Sequence, residues 1–164
     1  MAAYDPSALI LAGANFDLNQ VLAALKSDLP AMGDAKSTDG PTASTSATYA
    51  TLDSFSLAFE ADEAFLVIYL ATLACNSVAT SYCFGEIRAT VDGTQYGHYS
   101  RVQTVYENNS ADGAQAVAIG FGYGLSGTLT VAGQGRLVWD QPGGDTMYFG
   151  NRELICIKWK YRTS

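Results

Sequence analysis

Charge is scarce in this chain. Only 15% of its 164 residues are Asp, Glu, Lys or Arg, against about a quarter in an ordinary soluble domain, so part of the surface is expected to be hidden in an assembly. Positive charge is scarcer still, with nine Lys and Arg against 16 Asp and Glu and a net charge of -7. A phosphate backbone rewards the opposite balance, and nucleic acid is therefore not an expected partner. Cysteine occurs three times, at Cys75, Cys83 and Cys156, with no C-x-x-C spacing and only His98 to accompany it. A zinc site is not expected from that set. Cys75 and Cys83 sit among Leu, Ala, Tyr and Phe, where a free cysteine behaves as a small buried hydrophobe. Buried thiols are expected there; a Cys75–Cys83 bond is the alternative in a secreted setting, and residues 1–16 lack the basic opening and apolar core of a signal peptide.

Long apolar runs are missing as well. Between Glu63 and Glu86 there is no charged residue, but Asn76, Ser77, Thr80 and Ser81 interrupt the stretch. What is left is too short to cross a bilayer as a helix. Two buried strands joined by a polar turn are predicted, and no membrane span.

What is present falls into three parts. Leu18, Val21, Leu22, Leu25 and Leu29 follow the spacing of one helical face, and Asp17 with Gln20 before them and Pro30 after them mark the ends. A helix over about 17–29 is predicted within an N-terminal arm, residues 1–30. Three turns do not stand alone in water, so the leucine stripe must dock on something. Residues 31–47 are rich in Gly, Asp, Ser and Thr, a composition that cannot bury itself, and read as a flexible linker. From Thr48 the period changes to two and the residues become β-formers. Candidate strands are 48–52, 54–60, 64–73, 81–91, 94–106, 115–123, 127–131, 136–140 and 153–161. Asp92-Gly93 is the expected hairpin turn, glycine supplying a positive φ. Eight or nine antiparallel strands with short turns predict an all-β jelly-roll sandwich over residues 48–164.

Several segments carry a resemblance: Asp53-Ser-Phe-Ser-Leu, Phe65-Leu-Val-Ile-Tyr-Leu, Glu86-Ile-Arg-Ala-Thr-Val-Asp-Gly, Leu125-Ser-Gly-Thr-Leu-Thr-Val, Leu137-Val-Trp and Gly150-Asn-Arg-Glu-Leu-Ile-Cys-Ile-Lys. Over roughly residues 52–160 the order of these features resembles the trimeric jelly-roll domains of the tumour-necrosis-factor and C1q type found in virion proteins of tailed bacteriophages. The Leu-Ser-Gly turn lacks the histidine that often follows it in such domains. The resemblance implies a homotrimer whose jelly rolls pack around a threefold axis. Ten tyrosines and seven phenylalanines exceed what a core of this size readily conceals, and aromatics are enriched where subunits meet. Tyr96, Tyr99 and Trp139 are the candidate trimer or glycan contacts.

Catalytic machinery is thin. His98 lies in Tyr96-Gly-His-Tyr-Ser100, with no partner that spacing assigns to it, and reads as a surface or trimer-contact residue. Gly120-Phe-Gly-Tyr-Gly124 and Gly133-Gln-Gly135 lack the GK[ST] and the following helix of a phosphate loop, and read as strand glycines at bulges or close packing. Glu60, Asp62 and Glu63 cluster in one turn, where calcium is conceivable, although no D-x-D-x-D-G spacing supports a site. No enzyme activity and no cofactor are expected. The functional expectation is a structural protein of the virion: a trimeric capsid decoration or head-fibre protein. Leu18, Val21, Leu22 and Leu25 would dock it on the major capsid protein or another virion protein. The alternative is the receptor-recognising tip of a tail fibre, with exposed Tyr and Trp139 stacking on a host glycan.

Overall fold

A computed structural model of the chain describes residues 33–76, 82–107, 110–111, 113–138 and 145–160. The predicted arm helix, with Leu18, Val21, Leu22 and Leu25, lies outside the described residues, as does Trp139.

The described chain is all-β, in two antiparallel sheets. Its strands are β1 (Gly33–Thr38), β2 (Thr42–Ser44), β3 (Ala50–Phe59), β4 (Glu63–Asn76), β5 (Tyr82–Val91) and β6 (Thr94–Gln95). They continue as β7 (Ser100–Glu107), β8 (Ser110–Ala111), β9 (Ala114–Tyr123), β10 (Gly127–Leu137) and β11 (Thr146–Lys160). One sheet is five-stranded and runs β1-β11-β4-β9, with β2 beside β11. The other is six-stranded and runs β3-β10-β5-β7-β8, with β6 beside β5.

Period-two patterning builds the core between them. On β4 the inward residues Phe65, Val67, Tyr69, Ala71, Leu73 and Cys75 are all buried, and Cys83, Ile87, Ala89 and Val91 of β5 meet them from the other sheet. The uncharged stretch after Glu63 is thus two buried strands, as its composition predicts. The Asp92-Gly93 turn joins β5 to β6 with φ of 48° and 76°, the paired positive φ values of a primed hairpin turn. On β9, Gly120 and Gly122 lie directly beneath Tyr96: a Cβ at Gly120 would stand 2.2 Å from the Tyr96 carbonyl oxygen. Close packing, as read from the sequence, is what these glycines serve.

Three expectations need correction. Residues 31–47 are not a linker throughout, because β1 and β2 lie along one edge of β11, Gly33 opposite Ile157 and Thr42 opposite Phe149. The segment has no apolar face to bury; backbone pairing to an open strand edge holds it, helped by Thr38 Oγ1 donating to Asp53 Oδ1 at 2.8 Å. The second correction concerns strand breaks. The expected pairs 48–52/54–60 and 127–131/136–140 are single strands, β3 and β10, and a register shift at Gly133/Gln134 absorbs the irregularity. The expected strand 94–106 is split instead, since residues 96–99 leave the sheet between β6 and β7. Third, Cys75 and Cys83 are bonded as a disulfide that links β4 of one sheet to β5 of the other, while Cys156 is a buried free thiol.

A one-residue bulge in β11 sets the polar part of the core. Gly150 pairs Thr72 and Glu153 pairs Leu70, so β11 spends one more residue than β4 here, with Asn151 at a φ of 45°. The bulge turns Arg152 inward, where its Nε donates to Asp53 Oδ2 at 2.7 Å and its Nη1 donates to the carbonyls of Gly40 and Phe149. Tyr69 completes the group by donating its hydroxyl to Asp53 at 2.9 Å. At the far end of β11, Lys158 donates to the buried Glu63 carboxylate at 2.8 Å and to the Ala58 carbonyl. Lys160, two residues on, is exposed, whereas Lys158 is buried.

Candidate functional site

The outward side of the five-stranded sheet is apolar over the half that holds Ile119 and Phe121, and exposed Glu153 and Gln115 border that half. β9 alternates strictly, burying Ala116, Ala118, Gly120 and Gly122 while Val117, Ile119, Phe121 and Tyr123 face out. Their neighbours in register continue the surface. Ile119 stands opposite Ile68, which stands opposite Ile155, which stands opposite Ala35. Phe121, Leu66, Ile157 and Gly33 form the next row, and Phe121 lies 5.8 Å from the Trp159 ring. Among the described residues, five of the six large exposed hydrophobics sit on this face: Val117 at 44%, Ile119 at 54%, Phe121 at 56%, Tyr123 at 68% and Ile157 at 42% exposure. Single exposed hydrophobics are ordinary; a contiguous sheet face of them marks an association surface.

The outward side of the six-stranded sheet differs in kind. There Glu86 stands in register between Arg136 on β10 and Arg101 on β7. Arg101 Nε donates to Glu86 Oε1 at 2.7 Å and Arg136 Nε donates to Oε2 at 2.7 Å. The Tyr49 hydroxyl adds a bond to Oε2 at 2.9 Å. Burial acts to raise the Glu86 carboxyl, but the bonds from Arg101, Tyr49 and Arg136 outweigh it and hold it below the ordinary range. Tyr49 moves the other way, up to about 12, through burial and the Glu86 charge. Arg88 and Arg136 lie over its ring at 3.9 and 4.5 Å, within cation–π range.

The aromatic residues singled out from sequence fall in different places. Tyr96 packs edge-on against Phe65 at 4.9 Å between centroids, so its ring serves the fold. Tyr99 is exposed at 48%, with the Arg101 guanidinium 5.7 Å from its ring. His98 is exposed on the same connection. Glu60, Asp62 and Glu63 are engaged by lysines, the first two by Lys160 at 2.6 and 3.4 Å and the third by Lys158. Among the described residues no group of three or more His, Cys, Asp or Glu side chains is placed to hold a metal ion.

The strand 115–123 was expected, but nothing in its period of two says which side, that of Val117, Ile119, Phe121 and Tyr123 or the other, turns outward. The available signal was the other side, where Ala116, Ala118, Gly120 and Gly122 are all small. A strand with its small residues inward has its bulk outward. No protein-family model matches this chain and no curated protein matches it in sequence.

Proposed function

We propose that this chain is a self-assembling structural subunit of a virion, a jelly roll that forms a homotrimer through the outward face of β9, β4 and β11. The apolar face centred on Ile119, Phe121 and Ile157 carries the reading. Its occupants are the other two copies of this chain, whose apolar residues meet it around the threefold axis, with Glu153 at the margin of the patch; the scarcity of charge in the whole chain supports the same conclusion. The strand order supports the jelly-roll form. With β1 and β2 taken as one edge strand and β6 and β8 set aside as fragments, the sheets run 1-8-3-6 and 2-7-4-5 in chain order, the double Greek key of that architecture. The resemblance to trimeric phage domains supplies the virion role, with residues 1–30 as the part that docks on the particle and the body from β1 onward projecting from it.

Light-scattering mass of the purified full chain tests the assembly. The expected result is a trimer that Phe121→Glu converts to folded monomers, because three carboxylates brought together in an apolar interface cost several kcal/mol. A monomeric parent chain overturns the proposal. Deletion of residues 1–30 is expected to leave a folded body that no longer joins particles, and incorporation of the shortened chain would overturn the docking role.

A further inference from the structure

We propose that Arg88, Arg101, Arg136 and Tyr49, on the outward face of the six-stranded sheet, dock an extended polypeptide segment that carries Asp or Glu at alternate positions. The surface is independent of the apolar face, and the inference does not rest on the oligomeric reading.

The charge count comes first. Three of the nine cationic residues of an acidic chain gather here, and Glu86 answers them with one negative charge. Arg101 and Arg136 already satisfy that carboxylate, with 45% and 31% of their side chains still exposed. Arg88 does not touch it; its Nε donates to Gln134 at 2.7 Å and its Nη1 to Gln95 at 3.4 Å. A buried carboxylate alone accounts for two of the three arginines. The third leaves an excess of positive charge among neutral outward neighbours, Thr51, Gln95, Gln103 and Gln134, and charge complementarity assigns it an anionic partner.

Geometry selects the class of anion. Arg136, Glu86 and Arg101 occupy adjacent strands in one register row, and Arg88 lies two residues along β5 from Glu86. Neighbouring strands are about 4.8 Å apart and alternate residues of a strand about 6.8 Å apart, so the three cations stand about 8–10 Å from one another on an open sheet face. Carboxylates on alternate residues of an extended chain stand about 6.8 Å apart, a difference that the long arginine side chains can span. Guanidinium forks suit carboxylates in particular, and the Tyr49 ring, held by Arg88 and Arg136, keeps two of the forks from swinging free.

Fluorescence anisotropy of a labelled octapeptide of alternating Glu and Ser, titrated with the full chain, tests this. Binding is expected at low ionic strength, weakening steeply between about 0.05 and 0.3 M salt. The matching Gln-Ser peptide is expected not to bind. Arg88→Gln, which leaves both Glu86 contacts in place, is expected to weaken binding at least about threefold, and the further change Arg101→Gln about tenfold in all. Should the double variant fail to fold by circular dichroism, Arg88→Gln decides the matter alone. Equal binding of the Gln-Ser peptide, or indifference to Arg88→Gln, overturns the site. Binding of an oligogalacturonate with none of the Glu-Ser peptide overturns the polypeptide assignment in favour of a carboxylated glycan.

Discussion

Arg152 Nε lies 2.7 Å from Asp53 Oδ2 with both side chains buried between the sheets. The pair joins β11 to β3, and through Thr38 and the Gly40 carbonyl it also fastens the edge strand β1–β2. Removing one partner leaves the other as an uncompensated buried charge. Arg152→Met is expected to destabilise the fold by about 3–5 kcal/mol, read as a lower urea midpoint. Asp53→Leu combined with Arg152→Met is expected to cost less than the two single changes added together, because the double change removes the stranded charge. Additive losses would show that the two groups act separately.

Asp53 and Glu86 give the fold an acid limit. Burial acts to raise both carboxyls, yet bonds from Arg152, Thr38 and Tyr69 to Asp53, and from Arg101, Tyr49 and Arg136 to Glu86, bring both below their ordinary values. The unfolded chain then binds more protons than the folded one as pH falls below about 4–5, and stability rises with pH across that window. The stabilisation is complete above the unfolded carboxylate range and is lost as pH drops through the folded values. Urea midpoints measured from pH 2 to 7 are expected to be flat above about 5.5 and to fall steeply below about 4. A profile unchanged in Glu86→Gln would exclude Glu86 as a source of the slope.

Cysteine chemistry separates two states of the same chain. With Cys75 bonded to Cys83, the denatured, unreduced protein is expected to yield one thiol per chain, that of Cys156. In the folded protein even this one is expected to resist iodoacetamide at pH 8, since burial pushes its thiol up to about 12 and the thiolate is the reacting form. Three titratable thiols after denaturation without reductant would show that the pair stays reduced.

The sandwich was legible because apolar residues alternate on β4, β5 and β11, and because Asp92-Gly93 can do little but turn. Three features were not. β1 and β2 have no hydrophobic period, since their pairing rests on the backbone of β11 and on two residues, Asp53 and Arg152, more than ten positions away. The inward turn of Arg152 depends on a bulge that no turn residue other than Asn151 announces. The Cys75–Cys83 bond was set aside on composition, although eight residues of separation with a polar turn between two strands allow the 6.1 Å Cα approach it needs. The arginine cluster was invisible for a related reason: Glu86, Arg101 and Arg136 come together only through strand pairing.

Gly120 measures how tightly β9 is held to the connection above it. Its missing Cβ admits the backbone of Tyr96, and the return contact at Gly97 is equally close, 2.0 Å from a built Cβ to the Ile119 carbonyl oxygen. Neither backbone has room to give. Gly120→Ala is therefore expected to destabilise the chain by about 1–3 kcal/mol or more, with the loss seen in thermal unfolding. Gly124→Ala is the contrast: no atom lies within 4 Å of its built Cβ, but its φ is 74°, so its smaller cost, about 1 kcal/mol, comes from backbone strain alone. Equal losses at the two positions would contradict the close approach.

Assembly through the β9 face predicts a stability that depends on concentration. Three unfolded chains form one trimer, so a tenfold rise in protein concentration stabilises each chain by about 1 kcal/mol through mass action. With a urea slope of about 2–3 kcal/mol/M for a domain of this size, the midpoint should rise by about 0.3–0.5 M per decade of concentration. Phe121→Glu introduces a carboxylate opposite Leu66 and beside Trp159, on the surface the copies would share but outside the core of each subunit. In that variant the midpoint is expected to become independent of concentration and to equal the value the parent approaches at high dilution. Ile119→Asp, one row along the same face opposite Ile68, is expected to behave alike. A parent midpoint that stays constant over two decades of concentration would mean that the apolar face does not join copies of this chain, whatever else covers it.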